Sequence, residues 1–379
     1  MQDVVIAAYG RSPFTFAKKG DLARVRPDEL TAQVVKGVVT RSGVPAETLE
    51  DLILGCAFPE GEQGLNVARL VGFLAGLPQG IGAMTVNRFC GSSMQSIHIA
   101  AGAIQMGAGE AFICAGVESM SRVPMMGFNP LPHPELARTM PEAYMGMGET
   151  AENLARRYAI SRTDQEAFAV ESHRKAAIAV AEGRFAAEII PIATPDGAMV
   201  SADGCIRAET SAESLAGLKP AFLADGSVTA GTASPLTDGA AATLVCTADY
   251  ARSHGLTPLA RVRGIAVAGC APDIMGIGPV AAIRKVLARS GLSLADIAVI
   301  ELNEAFAVQA MACIRDLDLD PARVNPDGGA IALGHPLGAT GARITGKAAA
   351  LLKRDGGRYA LASQCIGGGQ GIATLLEAI

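Results

Sequence analysis

The chain has 379 residues, and at about 150 residues per domain that length predicts two or three domains. Half of the residues are apolar and 18% are charged, which excludes disorder, because such a chain buries enough apolar surface to offset its conformational entropy. The 32 basic and 37 acidic residues leave a formal charge of −5 with no Lys/Arg run, so no feature matches a row of phosphates and nucleic acid is excluded as a partner.

Met1, Gln2 and Asp3 lead directly into the apolar run 4–8, without the basic opening of a secretory leader. No stretch of about 18 apolar residues is present to span a membrane. Glu377, Ala378 and Ile379 do not form a peroxisomal ending, and the expected location is the cytoplasm. Leu30, Val34, Val35 and Val38 then keep helical spacing, and 52–56 reads as a strand. Met94, Ile97, Ala101 and Ile104 mark a second helix before an apolar strand at 111–115. Residues 120–147 are rich in Met, Pro and Gly and read as loop. A helix is expected at Thr163, with Glu166 completing a capping box, followed by a turn-rich stretch at 196–235. Ile283, Val286 and Leu287 lie on a helix opening at Pro279, and strands follow at 297–302 and 359–362. The strands are near-continuous apolar runs, as strands buried on both faces are, and their alternation with helices predicts an α/β fold with helix-covered sheets.

The chain also repeats itself. RSGVPAETLEDLILG from Arg41 matches RSGLSLADIAVIELN from Arg289, and the same offset of 248 sets GAGEAFICAG from Gly107 against DGGRYALASQ from Asp355. The shared register predicts duplicated α/β halves: residues 1–118 with about 237–257, and residues 258–379, with 119–236 inserted as a loop domain that covers a site.

Eight cysteines never come closer than the 24 positions between Cys90 and Cys114 or Cys246 and Cys270, and five histidines show no ligand spacing, so no metal is expected. In a reducing cytoplasm most of these thiols are buried small hydrophobes. Four strings stand apart, three of them framed by glycine. In VNRFCGSS, Cys90 lies where a strand meets a helix, and a helix N-terminus lowers a thiol's pKa and makes it a nucleophile; a plain buried cysteine is the alternative. In GGAIALGHPLGATGAR, His335 is held between Gly334 and Pro336 as a base or oxyanion donor, or as a structural turn residue. In SQCIGGGQG, Cys365 ends a strand beside glycines whose N–H groups can face an anion, although the string lacks the Lys and spacing of a phosphate loop. In ELNEAFAVQ, the Asn303 amide can orient a water or donate to a carbonyl, or cap the surface next to a solvated Glu304.

Together and in this order, the four strings resemble the thiolase family, specifically 3-ketoacyl-CoA thiolases and acetyl-CoA acetyltransferases. MGMGETAENLA from Met145, KPAFLADGSVTAGTASPLTDGAA from Lys219 and DIMGIGPV from Asp273 resemble it too, so the likeness runs along nearly the whole chain. It implies a thiolase fold, two duplicated α/β halves in a five-layer αβαβα arrangement with an inserted loop domain. It implies cleavage of 3-ketoacyl-CoA by coenzyme A, reversible as a Claisen condensation, with coenzyme A as substrate and no resident cofactor. Cys90 would be the acylated nucleophile, His335 its base, and Cys365 the acid/base at the α-carbon. Asn303, through a water, and His335 would hold one carbonyl oxygen, and the N–H groups of Cys90 and Gly367 the other. Ser234 and Arg207 fall where the family contacts coenzyme A, and Met147 and Phe306 near the acyl pocket. A homodimer or homotetramer is implied, and a fatty-acid oxidation partner enzyme is compatible with it.

The sequence departs from the family pattern at three places. Ser93 follows Ser92 where Gly is common, and Gly146 stands where acetoacetyl-CoA thiolases often carry His; both lean toward the degradative subtype over the biosynthetic one. Asp327 replaces the usual Asn before Gly328, with Asn325 and Pro326 altering the approach; of the two readings, an acid that perturbs His335 or a turn cap, the turn cap is taken. A decarboxylating ketoacyl synthase relative would need two catalytic histidines where this chain offers His335 and Cys365. A non-catalytic acyl-CoA or lipid carrier on the same fold would lack one of Cys90, Asn303, His335 or Cys365.

Overall fold

The computed structural model describes residues 2–379. In chain order they form β1 (Val4–Arg11), β2 (Thr15–Phe16), α1 (Pro27–Ser42), β3 (Asp51–Cys56), α2 (Val67–Leu74), β4 (Gly82–Val86), α3 (Ser92–Gln105) and β5 (Ala111–Ser119). A long excursion carries α4 (Pro134–Thr139), α5 (Met147–Arg157), α6 (Arg162–Ala181), the small pair β6 (Ile192–Ala193) and β7 (Met199–Val200), and α7 (Ala212–Ala216). The chain returns through β8 (Thr237–Thr247) and α8 (Ala248–Ser253). It then forms β9 (Ala260–Gly269), α9 (Gly278–Ser290), β10 (Ile297–Leu302), α10 (Ala307–Leu317), α11 (Ala330–Leu333), α12 (Leu337–Asp355), β11 (Tyr359–Ile366) and β12 (Gln370–Glu377).

Strand order is β10-β11-β12-β9-β1-β8-β5-β3-β4, with β2 on the end of β8. On one side β3 runs parallel to β5, and β8 is antiparallel to both β5 and β1. On the other, β10 runs parallel to β11, and β12 is antiparallel to both β11 and β9. The two four-strand patterns are the same, and they meet only where Val5 and Ile6 of β1 pair Arg261 and Ala260 of β9. Segments in the 248-residue register take like shapes: α1 and α9 both end on a left-handed glycine, Gly43 at φ 72° and Gly291 at φ 68°, where only a residue without a Cβ avoids strain.

The layers follow from what each helix buries. One core joins α1 and α2 to the first sheet, and another joins α9 and α10 to the second. Between the sheets, α3 and α12 pack on each other and on strands of both halves. This is the αβαβα stack that the resemblance implies. Glycines let α12 approach both the first sheet and α3 closely. A Cβ on Gly116 of β5 would lie 2.1 Å from the Gly338 carbonyl oxygen, and one on Gly341 would lie 2.2 Å from the Met94 nitrogen, distances that no side chain tolerates.

Three local expectations change. The helix expected at Thr163 begins two residues earlier: Ser161 is the cap, its hydroxyl accepting from Asp164 N–H at 3.1 Å while the Asp164 carboxylate accepts from Ser161 N–H at 3.2 Å. Ser161 is reached first and Asp164 completes the reciprocal pair, whereas Glu166 pairs Arg162 at 2.7 Å. The segment 120–147 is not all loop, since it carries α4 and a single 3₁₀ turn at Pro141–Tyr144. Strands β8, β9 and β12 complete the sheets beyond the runs legible as strands. Among the described residues, no helix is long and apolar enough to cross a membrane.

Candidate active site

The turn after β4 projects Cys90. Phe89 holds a left-handed φ of 43°, a conformation costing of order 1 kcal/mol for a residue with a side chain. The turn is over-determined from both ends. Arg88 N–H donates to Ser92 Oγ at 2.9 Å, Ser92 Oγ donates to the Phe89 carbonyl at 2.6 Å, and the Arg88 guanidinium reaches Gln95 at 2.9 Å and Gln370 at 2.7 Å. Gln364 of β11 donates to the Cys90 carbonyl. The nucleophile loop of one half is thereby tied to a strand of the other.

His335 enters from the opposite side, one residue before the Pro336 that precedes α12. Its backbone N–H donates to Thr237 Oγ1 at 3.1 Å, and its Nδ1 lies 2.6 Å from Thr340 Oγ1. Thr340 spends its single hydroxyl proton on the Pro336 carbonyl at 3.0 Å. Thr340 must therefore accept from His335, which fixes the proton on Nδ1 and leaves Nε2 as an acceptor. Asn303, buried at the end of β10, brings Nδ2 to 3.4 Å from that Nε2, and its Oδ1 is buried with no partner among the described residues.

Glu118 clamps these pieces together from below. Its Oε2 accepts from Ala57 N–H at 2.8 Å and Gly338 N–H at 3.0 Å, and its Oε1 accepts from Gln63 Nε2 at 2.8 Å. Burial raises its pKa, opposed by those hydrogen bonds. Glu304 is not solvated: it is buried, and accepts from Ser172 Oγ at 2.6 Å, Asn325 Nδ2 at 2.8 Å and Ile331 N–H at 3.2 Å. Its carboxylate ties α6 and α11 to the loop that carries Asn303.

Cys90, His335 and Cys365 open into one cavity of about 400 Å³, which Ser234, Met147 and Phe306 also line. The expected lowering of the Cys90 pKa does not occur. Burial pushes the thiol up to about 11, against the N–H groups of Gly367 and of Cys90 itself, which pull it down. Desolvation outweighs the helix end because the thiolate would sit out of water. Burial, reinforced by Arg343, lowers His335 to about 3, so the imidazole is neutral and a proton acceptor at neutral pH. Burial also raises Cys365 well above the ordinary thiol range, with Cys90 adding to the effect, and a thiol that keeps its proton is suited to donate it. Arg207 stays outside the cavity, exposed, with its guanidinium 4.9 Å above the Phe16 ring. Asp327 caps no turn; it is a buried acceptor for three cations, Arg184 at 2.8 Å, Lys347 at 2.8 Å and Arg354 at 2.5 Å.

The family model for the thiolase N-terminal domain matches residues 4–249, and that for the thiolase C-terminal domain matches residues 256–378. The chain is 49% identical to a 3-ketoacyl-CoA thiolase of Bacillus subtilis and 46% identical to one of Aeromonas hydrophila, with all of each chain covered. Among solved structures it resembles human mitochondrial 3-ketoacyl-CoA thiolase, at 39% identity and TM-score 0.92, covering all of this chain and 99% of that one. It resembles the acetyl-CoA acetyltransferase of Bacillus anthracis equally in fold, at 42% identity and TM-score 0.92, again covering all of this chain and 99% of the other. The human enzyme in complex with CoA also matches at TM-score 0.92, with 39% identity over all of this chain and 98% of that one.

Proposed function

The chain belongs to the thiolase family, and from that premise we propose that it cleaves 3-ketoacyl-CoA by thiolysis through an acyl-Cys90 intermediate, with coenzyme A as second substrate. The observation that carries the reading is the pairing of two buried, protonated thiols with a neutral His335 whose Nε2 is unprotonated, all on one cavity. His335 takes the Cys90 proton and the thiolate adds to the ketone carbon. The bond between the α- and β-carbons then breaks, its electron pair passing to the departing acetyl-CoA enolate. Cys365 protonates that enolate and recovers a proton from the His335 imidazolium, which returns the imidazole to its neutral form. Coenzyme A, deprotonated with help from His335, next takes the acyl group from Cys90, which gives ping-pong kinetics.

Two oxyanion positions are needed, one for each carbonyl. We assign one to His335 and Asn303, whose orphaned Oδ1 and adjacent amide suit a bridging water, and the other to the N–H groups of Cys90 and Gly367, which already lean on the Cys90 sulfur. Ser234 on the cavity wall and the exposed Arg207 outside it are assigned to coenzyme A, and Met147 and Phe306 to the acyl chain. Ala17, next to the Phe16 that Arg207 covers, bonds the carbonyl of the cavity-lining Leu236 at 2.8 Å, which supports an extended ligand passing that way. Gly146 on the cavity wall leaves space, since a Cβ there would find only the Glu149 side chain, at 3.6 Å, and this room favours the degradative subtype.

Residues 1–118 with 237–257, 119–236, and 258–379 are taken as the three units of the chain. A homo-oligomer is proposed on the unpaired edge of β4, and a reducing cytoplasm agrees with eight free cysteines.

The test is coenzyme A-dependent loss of acetoacetyl-CoA and of a long-chain 3-ketoacyl-CoA. Faster loss of the long chain is expected, and faster loss of acetoacetyl-CoA would assign the biosynthetic role instead. Cys90→Ala should abolish acyl-enzyme formation, whereas Cys365→Ala should leave Cys90 open to alkylation yet stop carbon–carbon cleavage. Full cleavage by the Cys90→Ala variant would overturn the assignment of the nucleophile.

A further inference from the structure

The active-site cavity is nearly free of charge, and the one exception has a fixed sign. Its broad wall is apolar, built from Met120, Met125, Met147, Phe222, Leu236 and Met275. No Lys or Arg lines it among the described residues, and the lining His335 is neutral. The only carboxylate on the wall is Glu149, in the first turn of α5. Its Oε2 accepts from Gly146 N–H at 3.3 Å, and no cation among the described residues lies within ion-pair distance of it. Glu149 therefore occupies the start of α5, the feature of this wall that would otherwise favour an anion.

We propose that the enzyme takes 3-ketoacyl thioesters whose acyl chain ends in uncharged hydrocarbon and rejects chains that end in a carboxylate, with Glu149 as the residue that enforces the rejection. The inference rests on the thiolytic reading above. A terminal carboxylate entering this cavity leaves water, finds no cation to pair with, and meets a group of its own sign at the rim. A terminal methyl meets methionine and phenylalanine side chains instead. Selectivity of this kind works through an unfavourable contact for the wrong substrate as well as a favourable one for the right substrate.

Two six-carbon thioesters that differ only at the chain end make the comparison: 3-oxohexanoyl-CoA and 3-oxoadipyl-CoA, each assayed with coenzyme A. The ratio of their kcat/KM values should favour 3-oxohexanoyl-CoA by at least about 30-fold, the consequence of burying one unpaired polar group. Glu149→Gln retains an acceptor for Gly146 N–H and removes the charge; it should lower the ratio about tenfold, and Glu149→Lys should lower it further. Equal kcat/KM values on the two thioesters in the parent enzyme overturn the proposal. A ratio that neither substitution moves overturns the part given to Glu149. If neither thioester is cleaved, the thiolytic reading fails first and takes this one with it.

Discussion

At Thr340 one proton decides what His335 does. Because the hydroxyl proton already goes to the Pro336 carbonyl, the imidazole carries its own proton on Nδ1 and presents an unprotonated Nε2, the form that can accept from Cys90 or from coenzyme A. Thr340 is a positioning residue, since it acts through the imidazole and does not line the cavity. Thr340→Val keeps the shape and removes the acceptor; acylation of Cys90 should slow by about 10- to 100-fold with little change in KM, while Thr340→Ser should restore the rate. Rapid-mixing measurement of acyl-enzyme formation checks this, and an unaltered acylation rate in the Val variant would remove Thr340 from the mechanism. Cys90, His335 and Cys365 were legible because each sits in its own glycine-framed string, and Asn303 because it ends a strand of the repeat. Thr340 lies in the same string as His335, yet spacing does not say which ring nitrogen meets which hydroxyl. The protonation of Cys90 was not legible either, because a helix N-terminus is visible in sequence and the depth of burial that outweighs it is not.

At the scale of elements, the site is an encounter between two helix starts, α3 carrying Cys90 just ahead of it and α12 carrying His335, with α12 pressed onto β5 through Gly116 and Gly338 and onto α3 through Gly341. The far half of α12 is held by charge. Lys347 pairs both Asp327 at 2.8 Å and Glu188 at 3.2 Å, and Glu188 also takes Arg11 at 2.8 Å. Asp327 thus anchors α12, together with Arg184 from the end of α6, to the loop that leads into α11. Its pKa is held below the ordinary value: burial acts upward, and hydrogen bonds from Arg354, Lys347 and Arg184 act downward and prevail. Asp327→Asn leaves three cations facing a neutral amide and should cost about 3 kcal/mol. A carboxylate with a depressed folded-state pKa contributes stability above its unfolded value of 3.8 and loses it as pH falls through the folded value. The gap between parent and variant should therefore be widest near pH 7 and close below about pH 4, read from urea midpoints at each pH; a gap independent of pH would contradict the ion-pair account. The helices and strands of the repeat were legible from their apolar periods. The role of Asp327 was not, since its three partners come from positions 184, 347 and 354, and local sequence shows only a polar residue before Gly328.

For the whole molecule, assembly turns on β4. It pairs β3 along 82–86 and presents its other edge unpaired among the described residues, and unprotected edges invite a second strand. Exposed apolar side chains cluster in the same stretch of chain: Leu65, Phe73, Leu74 and Met84, with Phe89 one residue before the nucleophile. No charged residue lies within β4 itself to discourage pairing. A two-fold arrangement that sets β4 against its copy would extend the sheet across both subunits and cover these side chains, as a self-complementary interface requires. It would also buttress the strained Phe89 turn, so that association and activity are coupled. Light scattering at micromolar protein should then give at least twice the chain mass of 38.7 kDa. Met84→Lys, which places a charge on that edge, should shift the protein toward the monomer and lower kcat at dilute protein, with recovery as concentration rises. A parent protein that is monomeric at micromolar concentration would rule out this interface, and a monomeric variant with undiminished kcat would separate assembly from catalysis.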